Sequence, residues 1–241
     1  MTVIFEDENI LVLDKPAGIT VNNSDTTENQ DTVQDWLESR FKLQNITPDV
    51  NVDSDFYKRA GIVHRIDKET SGILLVAKDE NAFINLQAQF KERVVKKTYI
   101  ALVHGKMPLA KGEIRVPVGR LPWNRKRFGV LAGGKDAITR YEVLETGDLL
   151  IKSGIKEPMS LLSLYPETGR THQLRVHLKY INHPIFGDSL YAGRKTARND
   201  RKILGRVFLH AAKISFIHPK NLQQVSFESS LPKELENLIK C

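Results

Sequence analysis

Residues 61–79 read GIVHRIDKETSGILLVAKD, and two different patterns meet within them. The continuous apolar run at residues 73–77 predicts a strand that is buried on both faces. Residues 64–72, just before it, are mostly polar, and a polar loop beside a rigid strand is a common place for catalytic groups. Asp67 is the carboxylate of this loop that stands among apolar and basic residues. Its chemistry suits a nucleophile or a general base, although Asp, Thr, Ser and Gly also form ordinary turns.

The sequence on either side of this stretch predicts more strands than helices. Apolar or alternating runs indicate strands at residues 3–5, 10–13, 98–103, 137–144, 160–165, 207–217 and 224–227. Helical spacing of apolar residues indicates helices at residues 33–41, 83–90, 171–180 and 231–239. Because the two kinds of element do not alternate strictly, we expect an α+β fold with a mixed, mostly antiparallel central sheet and flanking helices. No linker stands out, so we expect a single domain over residues 1–241, with 22–59 as a loop or insertion region.

Composition narrows the class of protein. The chain has 241 residues and a formal net charge of +7, with no long apolar run and no signal-like N-terminus, so we expect neither a membrane protein nor a secreted one. A single cysteine, Cys241, excludes an internal disulfide and favours a reducing, cytoplasmic compartment. Residues 1–60 hold 12 acidic and 5 basic side chains, net −7, whereas residues 61–241 hold 31 basic and 17 acidic ones, net +14. The basic part favours a polyanionic partner.

A second polar segment, TGRTHQLRVH at residues 168–177, opens a predicted helix after a strand. Backbone amides at a helix N-terminus attract anions, and Arg170 lies there to pair with a carboxylate or phosphate. The alternative is an exposed helix start with a surface arginine. His172 and His177 are five residues apart, so they do not share one face of the helix. No known metal-binding spacing occurs in the sequence either, and we expect no metal site. No phosphate-binding glycine loop follows a strand, so we expect no nucleotide cofactor either.

Basic residues interleaved with aromatic ones point to a nucleic-acid surface. The first cluster falls in a Gly-rich region at residues 119–136, which we interpret as a loop or hairpin, and the second at residues 193–206. The basic members are Arg120, Arg125, Lys126, Arg127, Arg194, Lys195, Arg198, Arg201, Lys202 and Arg206. The aromatic members are Trp123, Phe128 and Tyr191. Cations bind phosphates and flat rings stack on bases, so this combination suits single-stranded or looped RNA. The alternative interpretation is an ordinary charged surface exposed to solvent.

In combination, these segments resemble the RluA family of RNA pseudouridine synthases. GIVHRIDKETSGILLVAKD at 61–79 resembles the catalytic motif of that family, and the other matches follow in order along the chain. They are VIFEDENILVLDKPAGITV at 3–21, KKTYIALVHG at 96–105, PETGRTHQLRVHL and HPIFGDSLYAG within 166–193, and LHAAKISFIHP at 209–219. Ile66 and Glu69 stand where Leu and Asp are commoner in the family. We expect the N-terminal S4-type domain of some members to be absent.

The resemblance implies the pseudouridine synthase fold and a cofactor-independent isomerase. Such an enzyme detaches uracil from ribose at N1 and reattaches it through C5. The matches imply that Asp67 is the catalytic aspartate, that Arg170 pairs with it, and that Tyr99 is the active-site tyrosine, which we expect to stack on the base. Arg65 matches a residue that enters the RNA stack when the target base is flipped out. The first step stays open between attack at C1′, attack at C6 and proton abstraction from the ribose to give a glycal.

The expected partner is structured RNA, transfer or ribosomal, and we expect the protein to be a monomer. Further RNA contacts are expected in the matched motifs and basic clusters. They are His64, Thr70, Gln173, Arg125, Arg127, Arg194 and Lys195. Two other functions stay open: an RNA-binding module without catalysis, and a glycosylase that hydrolyses the N-glycosidic bond through an aspartate.

Overall fold

The structure is a computed structural model that describes residues 1–23, 30–41, 54–150 and 156–239. In chain order its strands are β1 (Thr2–Glu6), β2 (Ile10–Lys15), β3 (Ser71–Ala77), β4 (Lys96–His104), β5 (Lys111–Arg115), β6 (Val118–Leu121), β7 (Asn124–Val130), β8 (Ile138–Leu150), β9 (Lys156–Pro166), β10 (Leu209–Ile217) and β11 (Gln224–Glu228). Its helices are α1 (Val33–Phe41), α2 (Asp55–Lys58), α3 (Glu80–Lys91), α4 (Gln173–Tyr180), α5 (Arg194–Ile203) and α6 (Lys233–Ile239).

The chain divides into two compact units. The first comprises Met1–Val95 and Lys213–Ser229, and the second comprises Lys96–Ala212 and Ser230–Cys241. Strand β10 therefore contributes its first four residues to the second unit and its last five to the first. The expectation of a single domain stays a prediction, and its strongest support is this shared strand.

The first unit is a sheet with its buried strand close to the middle. Strand β2 pairs antiparallel with β1 and with β3, and the second half of β10 pairs antiparallel with β11. Every residue of β3 is buried, as the unbroken apolar run predicts. Helix α3 begins after Asp79, whose Oδ1 accepts from the Ala82 N–H at 2.9 Å, and it packs Phe83 and Leu86 into the core. Gly61 has no room for a Cβ, which would lie 2.0 Å from the Ala77 carbonyl oxygen of β3.

The second unit is built on a sheet in the order β10, β4, β9, β8, β5. Strand β9 pairs antiparallel with β4 and β8, and β8 pairs antiparallel with β5. Strands β6 and β7 form a separate hairpin. The hairpin packs on α4 through a small apolar cluster that includes Val118, Val176 and Phe128. The α+β class and the mostly antiparallel sheet predicted from the sequence are confirmed.

Three elements differ from the sequence predictions. Helix α2 falls within the region predicted as a loop, although residues 24–29 and 42–53 of that region lie outside the described part of the chain. Strand β5 was not predicted. Helix α5 lies in the basic cluster at residues 193–206, where no helix is predicted because there is no apolar stripe: its buried residues are Ala197 and Asp200. Asp200 holds the helix instead, accepting from the Gly187 N–H at 2.9 Å and lying 3.0 Å from His104 Nε2.

Among the helices in the described ranges, none has both the length and the apolar character that a membrane span requires.

Candidate active site

Asp67 lies in the loop that leads into β3, within the first unit. A turn follows it, because the Thr70 N–H donates to the Asp67 carbonyl at 3.0 Å. Its neighbour Ile66 is buried and anchors the loop, Asp67 itself is half-buried, and Arg65 on the other side is exposed. Asp67 is therefore partly exposed to solvent, in a loop that the buried Ile66 anchors.

Lys15, at the end of β2, holds the main chain of this loop through its buried side chain. The side chain is fully buried, and Nζ donates to the carbonyl oxygens of Pro16 at 2.8 Å, Ile19 at 2.9 Å and Lys68 at 3.2 Å. The Gly18 N–H donates to the same Lys68 carbonyl at 2.8 Å. An ammonium group has three hydrogens, and these three carbonyls match them. The main chain directly after Asp67 is thus held by two donors, the Gly18 N–H and the side chain of Lys15, a residue that the sequence does not single out.

Two of the predicted RNA contacts, His64 and Thr70, lie in this loop. His64 Nε2 accepts from the Leu75 N–H of β3 at 2.9 Å, and its ring stacks on Phe90 with centroids 4.8 Å apart. Thr70 is 1% exposed, and its hydroxyl has no hydrogen-bond partner among the described residues. Thr70 is therefore not placed to touch RNA in this conformation, because its hydroxyl is covered. A contact through His64, which is half-buried, stays a prediction.

Tyr99 belongs to the second unit, where it lies on β4 opposite Leu164 of β9 and is 9% exposed. Lys97 precedes it by two residues on the same strand and is half-buried. The Lys97 ammonium lies 3.9 Å from where a Cβ at Gly169 would stand, so it is close to the segment that carries Arg170. Burial lowers the pKa of Lys97 to about 8.

Arg170 stands between β9 and α4, and its side chain is oriented by the main chain. Its Nε donates to the Asp136 carbonyl oxygen at 3.0 Å, which uses one of the five guanidinium hydrogens. His172, the residue before α4, has a left-handed backbone with φ of 56°, unusual for a residue with a Cβ. Its Nδ1 lies 2.9 Å from the Tyr191 hydroxyl, which also accepts from the Phe128 N–H at 3.0 Å. The Arg170 segment is thereby connected to the β6–β7 hairpin.

Gln173 is not placed to touch RNA in this conformation, and the predicted contact stays a prediction. Gln173 is 4% exposed, and both ends of its amide are hydrogen-bonded within the protein. A buried, fully bonded amide has neither surface nor free donors to offer a ligand.

The basic clusters form two exposed surfaces of the second unit. At the turn of the β6–β7 hairpin Trp123 is 76% exposed, beside the exposed Arg125. The rings of Phe128 and Tyr191 are already covered by arginines: the Arg120 guanidinium lies 4.9 Å from the first ring centroid, and that of Arg127 lies 5.5 Å from the second. In α5, Arg194, Lys195 and Arg198 are exposed. The structure thus leaves Trp123 as the aromatic face of these clusters that a base can reach.

Two further points of chemistry complete the description. Arg175 and Asp188 form a buried two-point ion pair in the second unit, with distances of 2.7 and 2.9 Å, which helical spacing alone did not reveal. Within the described ranges, no group of three or more His, Cys, Asp or Glu side chains is arranged to hold a metal ion.

Comparison with known proteins identifies the class that this fold and this loop define. The sequence model of the family described as RNA pseudouridylate synthase matches residues 9–180. Over 99% of its length the chain is 37% identical to the ribosomal large subunit pseudouridine synthase D of Neisseria meningitidis, of which it covers 60%. It is 34% identical, again over 99% of its length, to a Bacillus subtilis protein named uncharacterized RNA pseudouridine synthase YhcT, of which it covers 71%.

A solved structure agrees with the sequence matches. The structure named human RNA pseudouridylate synthase domain containing 1 superposes with a TM-score of 0.70 and 28% identity, covering 95% of this chain and 82% of the other. The chain therefore belongs to the RNA pseudouridylate synthase family, and the resemblance found in the sequence is confirmed.

Proposed function

We propose that the protein is an RNA pseudouridine synthase that isomerises specific uridines in structured RNA, with Asp67 as its catalytic group. The observation that carries this proposal is the placement of Asp67, in the matched catalytic motif, in a loop whose main chain is clamped by the buried Lys15. A binding surface has no need of a loop whose main chain is held so firmly. Catalysis does, because a reacting group must be held in near-attack geometry.

The reaction balances without a cofactor. The N1–C1′ bond breaks, the detached uracil turns to present C5, and a C5–C1′ bond forms. The proton on C5 leaves to solvent, and N1 takes one up. In the first step of the reaction, Asp67 attacks C1′ of the ribose, attacks C6 of the uracil, or removes a proton from the ribose. Tyr99 then stacks on the ring, since an ordinary phenol is a poor base at neutral pH. Arg170 supplies a cation for the carboxylate, and the exposed Arg65 fills the gap left by the flipped base.

Ribosomal RNA is the favoured substrate. The relative from Neisseria meningitidis is named for the large ribosomal subunit, whereas no relative described above is named for transfer RNA. The basic and aromatic surfaces of the hairpin and of α5 suit a looped region of such an RNA. We further propose that the enzyme acts in the cytoplasm as a monomer.

Release of tritium from uracil C5 tests the proposal directly. Large-subunit ribosomal RNA and transfer RNA, each labelled at C5, are incubated with the wild type, with Asp67→Asn and with Glu69→Gln. Glu69 is the matched control, a second carboxylate of the same loop. We expect release from ribosomal RNA by the wild type and by Glu69→Gln, and none by Asp67→Asn.

Other outcomes contradict the proposal in distinct ways. RNA binding without release from either RNA would indicate a binding module. Free uracil in the supernatant would indicate a glycosylase. Release from transfer RNA alone would keep the reaction and overturn the assignment of substrate.

A further inference from the structure

A buried polar network joins the segment before α4 to the start of β8. Its side chains are those of Thr139, Thr168, Gln173 and His177, all in the second unit and each no more than 7% exposed. The network includes the main chain of Arg170, whose N–H donates to Gln173 Oε1 at 3.1 Å. It ends at the carbonyl oxygen of Val116, 3.2 Å from His177 Nε2.

The direction of the hydrogen bonds follows from groups that can only donate or only accept. The Val116 carbonyl only accepts, so His177 Nε2 carries the hydrogen between them. His177 Nδ1 then accepts from the Thr139 hydroxyl at 2.9 Å, and that hydroxyl accepts from Gln173 Nε2 at 3.1 Å. Burial lowers the pKa of His177, although the Val116 carbonyl acts in the opposite direction. The imidazole is therefore neutral, as these directions require.

The same reasoning leaves the Gln173 amide one orientation. Its Oε1 accepts from the Arg170 N–H and from the Thr168 hydroxyl, the latter at 2.7 Å. Its Nε2 donates to the Ile138 carbonyl at 3.0 Å as well as to Thr139. A flipped amide would set a donor against the Arg170 N–H and an acceptor against the Ile138 carbonyl.

We propose that Gln173 is a positioning residue for Arg170, and that Thr139 and His177 hold its amide in the orientation this requires. The proposal rests on the proposed function, in which Arg170 acts beside the catalytic carboxylate. Gln173 fixes the main chain of Arg170, while the Asp136 carbonyl fixes its guanidinium through Nε at 3.0 Å. Both ends of the residue are thus held before RNA arrives.

The expected consequence is a fall in turnover more than in substrate affinity. Gln173→Met keeps the length of the side chain and removes every hydrogen bond of the amide. A displacement of 1 Å in a group that faces reacting atoms costs about 10²-fold in rate, so we expect kcat to fall roughly 10- to 100-fold. We expect KM to stay within about two-fold of the wild type, because the Gln173 amide is buried and bonded within the protein.

Gln89 provides a matched control in the first unit. It is a glutamine 8% exposed that bridges the main chain of Ile217, accepting from its N–H at 2.9 Å and donating to its carbonyl at 2.6 Å. Gln89→Met should lose stability as Gln173→Met does, because both leave buried backbone groups unpaired. Measured at a temperature where both variants are fully folded, kcat of Gln89→Met should stay within about two-fold of the wild type.

A double-mutant cycle and amide exchange separate positioning from mere stability. If Gln173 acts through Arg170, Gln173→Met should reduce kcat less in an Arg170→Lys background than in the wild type. Independently of turnover, Gln173→Met should accelerate hydrogen exchange at the Arg170 amide, and Gln89→Met should not.

An unchanged exchange rate at Arg170, equal losses of kcat in the two methionine variants, or an additive cycle would each overturn the proposal. If the wild type releases no tritium, the proposed function fails instead, and the exchange rate at Arg170 still decides whether Gln173 positions that residue.

Discussion

Lys15 and Lys97 are lysines whose side chains the fold takes wholly or partly out of water. Lys15 places its group among three carbonyl oxygens, which replace the water that burial removes. For Lys97 burial is the dominant influence, and it lowers the pKa from the ordinary value of 10.5 to about 8. Between about pH 8 and pH 10.5, the native protein therefore binds fewer protons at Lys97 than the unfolded chain does. Stability must accordingly rise with pH through that window.

We expect this rise to disappear when Lys97 is replaced by methionine. The difference in free energy of unfolding between the wild type and Lys97→Met should be constant below about pH 8 and should then move in favour of the wild type toward pH 10.5. Urea unfolding of both proteins at pH 7, 8, 9 and 10 measures it, with Lys96→Met as the matched control for the loss of a lysine. A difference that is flat across this range would show that the Lys97 ammonium is solvated.

At the scale of single residues, the sequence predicts groups whose chemistry is local and misses those whose role depends on distant partners. Asp67, whose catalytic role stays a proposal, is a candidate from the sequence because it stands in a polar loop before a buried strand and because its motif resembles that of the family. Lys15 is not, because its three partners include the Lys68 carbonyl, 53 residues away in the chain. Gln173 is the same case: its amide bonds to Ile138 and Thr139 on a strand that only the fold brings near.

At the scale of elements, the β6–β7 hairpin presents its turn as a site for an unpaired base. No acidic residue occurs between Glu113 and Asp136, so the whole hairpin is neutral or basic. The end of the hairpin away from its turn is anchored on α4 and Tyr191, whereas Trp123 at the turn is 76% exposed. An exposed indole beside cations, on an element held at its other end, is suited to stacking with RNA.

Trp123→Ala should therefore weaken binding of single-stranded or looped RNA by about 1–3 kcal/mol, the usual effect of removing one stacked base contact. Trp123→Phe should keep most of the affinity. Affinities are best measured in an Asp67→Asn background, which prevents turnover. Tyr180→Ala is the matched control, since Tyr180 is an exposed aromatic residue outside the basic clusters. Equal affinities for Trp123→Ala and Tyr180→Ala would remove the hairpin turn from the RNA surface.

Helix α5 makes a separate, electrostatic prediction. Arg194, Lys195 and Arg198 are exposed, and the helix is fixed from its buried side by Asp200 and by Arg201, whose Nε donates to the Gly187 carbonyl at 2.7 Å. Each phosphate contact that is lost reduces the slope of log affinity against log salt by about 0.7–0.9. Replacing all three residues with glutamine should flatten that slope by roughly 2–3. The same slope as the wild type would place α5 away from RNA.

This helix also shows the limit of prediction at this scale. Most strands, and helices α1, α3, α4 and α6, follow from patterns of apolar residues, and the structure confirms them. Helix α5 does not, because its sequence RKTARNDRKI contains no apolar face and its stability comes from tertiary polar contacts. Strand β5 is equally weak as a pattern: its one fully buried residue is Ile114. An element that packs through one or two residues leaves no periodic signal.

At the scale of the whole molecule, charge is divided along the chain. The net charge of +14 over residues 61–241 would draw RNA toward the protein over distances of about a Debye length. The first 60 residues, at −7, offset half of it, and four of their 12 acidic side chains lie at residues 24–29 and 42–53, outside the described ranges. Under the proposed function, the features that set the RNA target of this protein apart from those of its relatives are best sought by replacing the acidic residues of 22–59.

Strand β10 bears on whether the two compact units unfold together. Its residues 209–212 belong to the second unit and its residues 213–217 to the first, where Lys213–Ile217 pair with β11. If the sheet around one half of β10 is lost, the hydrogen bonds at the middle of the strand are lost as well. The other half then loses part of what keeps it extended. Unfolding of either unit should thus propagate through β10 to the other.

We therefore expect a single cooperative transition. In native-state hydrogen exchange, the slowest amides of β3 in the first unit and of β9 in the second should open with free energies that agree within about 1 kcal/mol, and with the same dependence on denaturant. An Ala212→Pro substitution, which removes a backbone donor in the middle of β10, should lower both values together. If β3 opened several kcal/mol more readily than β9, or if the substitution affected one strand only, the chain would consist of two domains that merely share a strand, contrary to the single domain expected from its sequence.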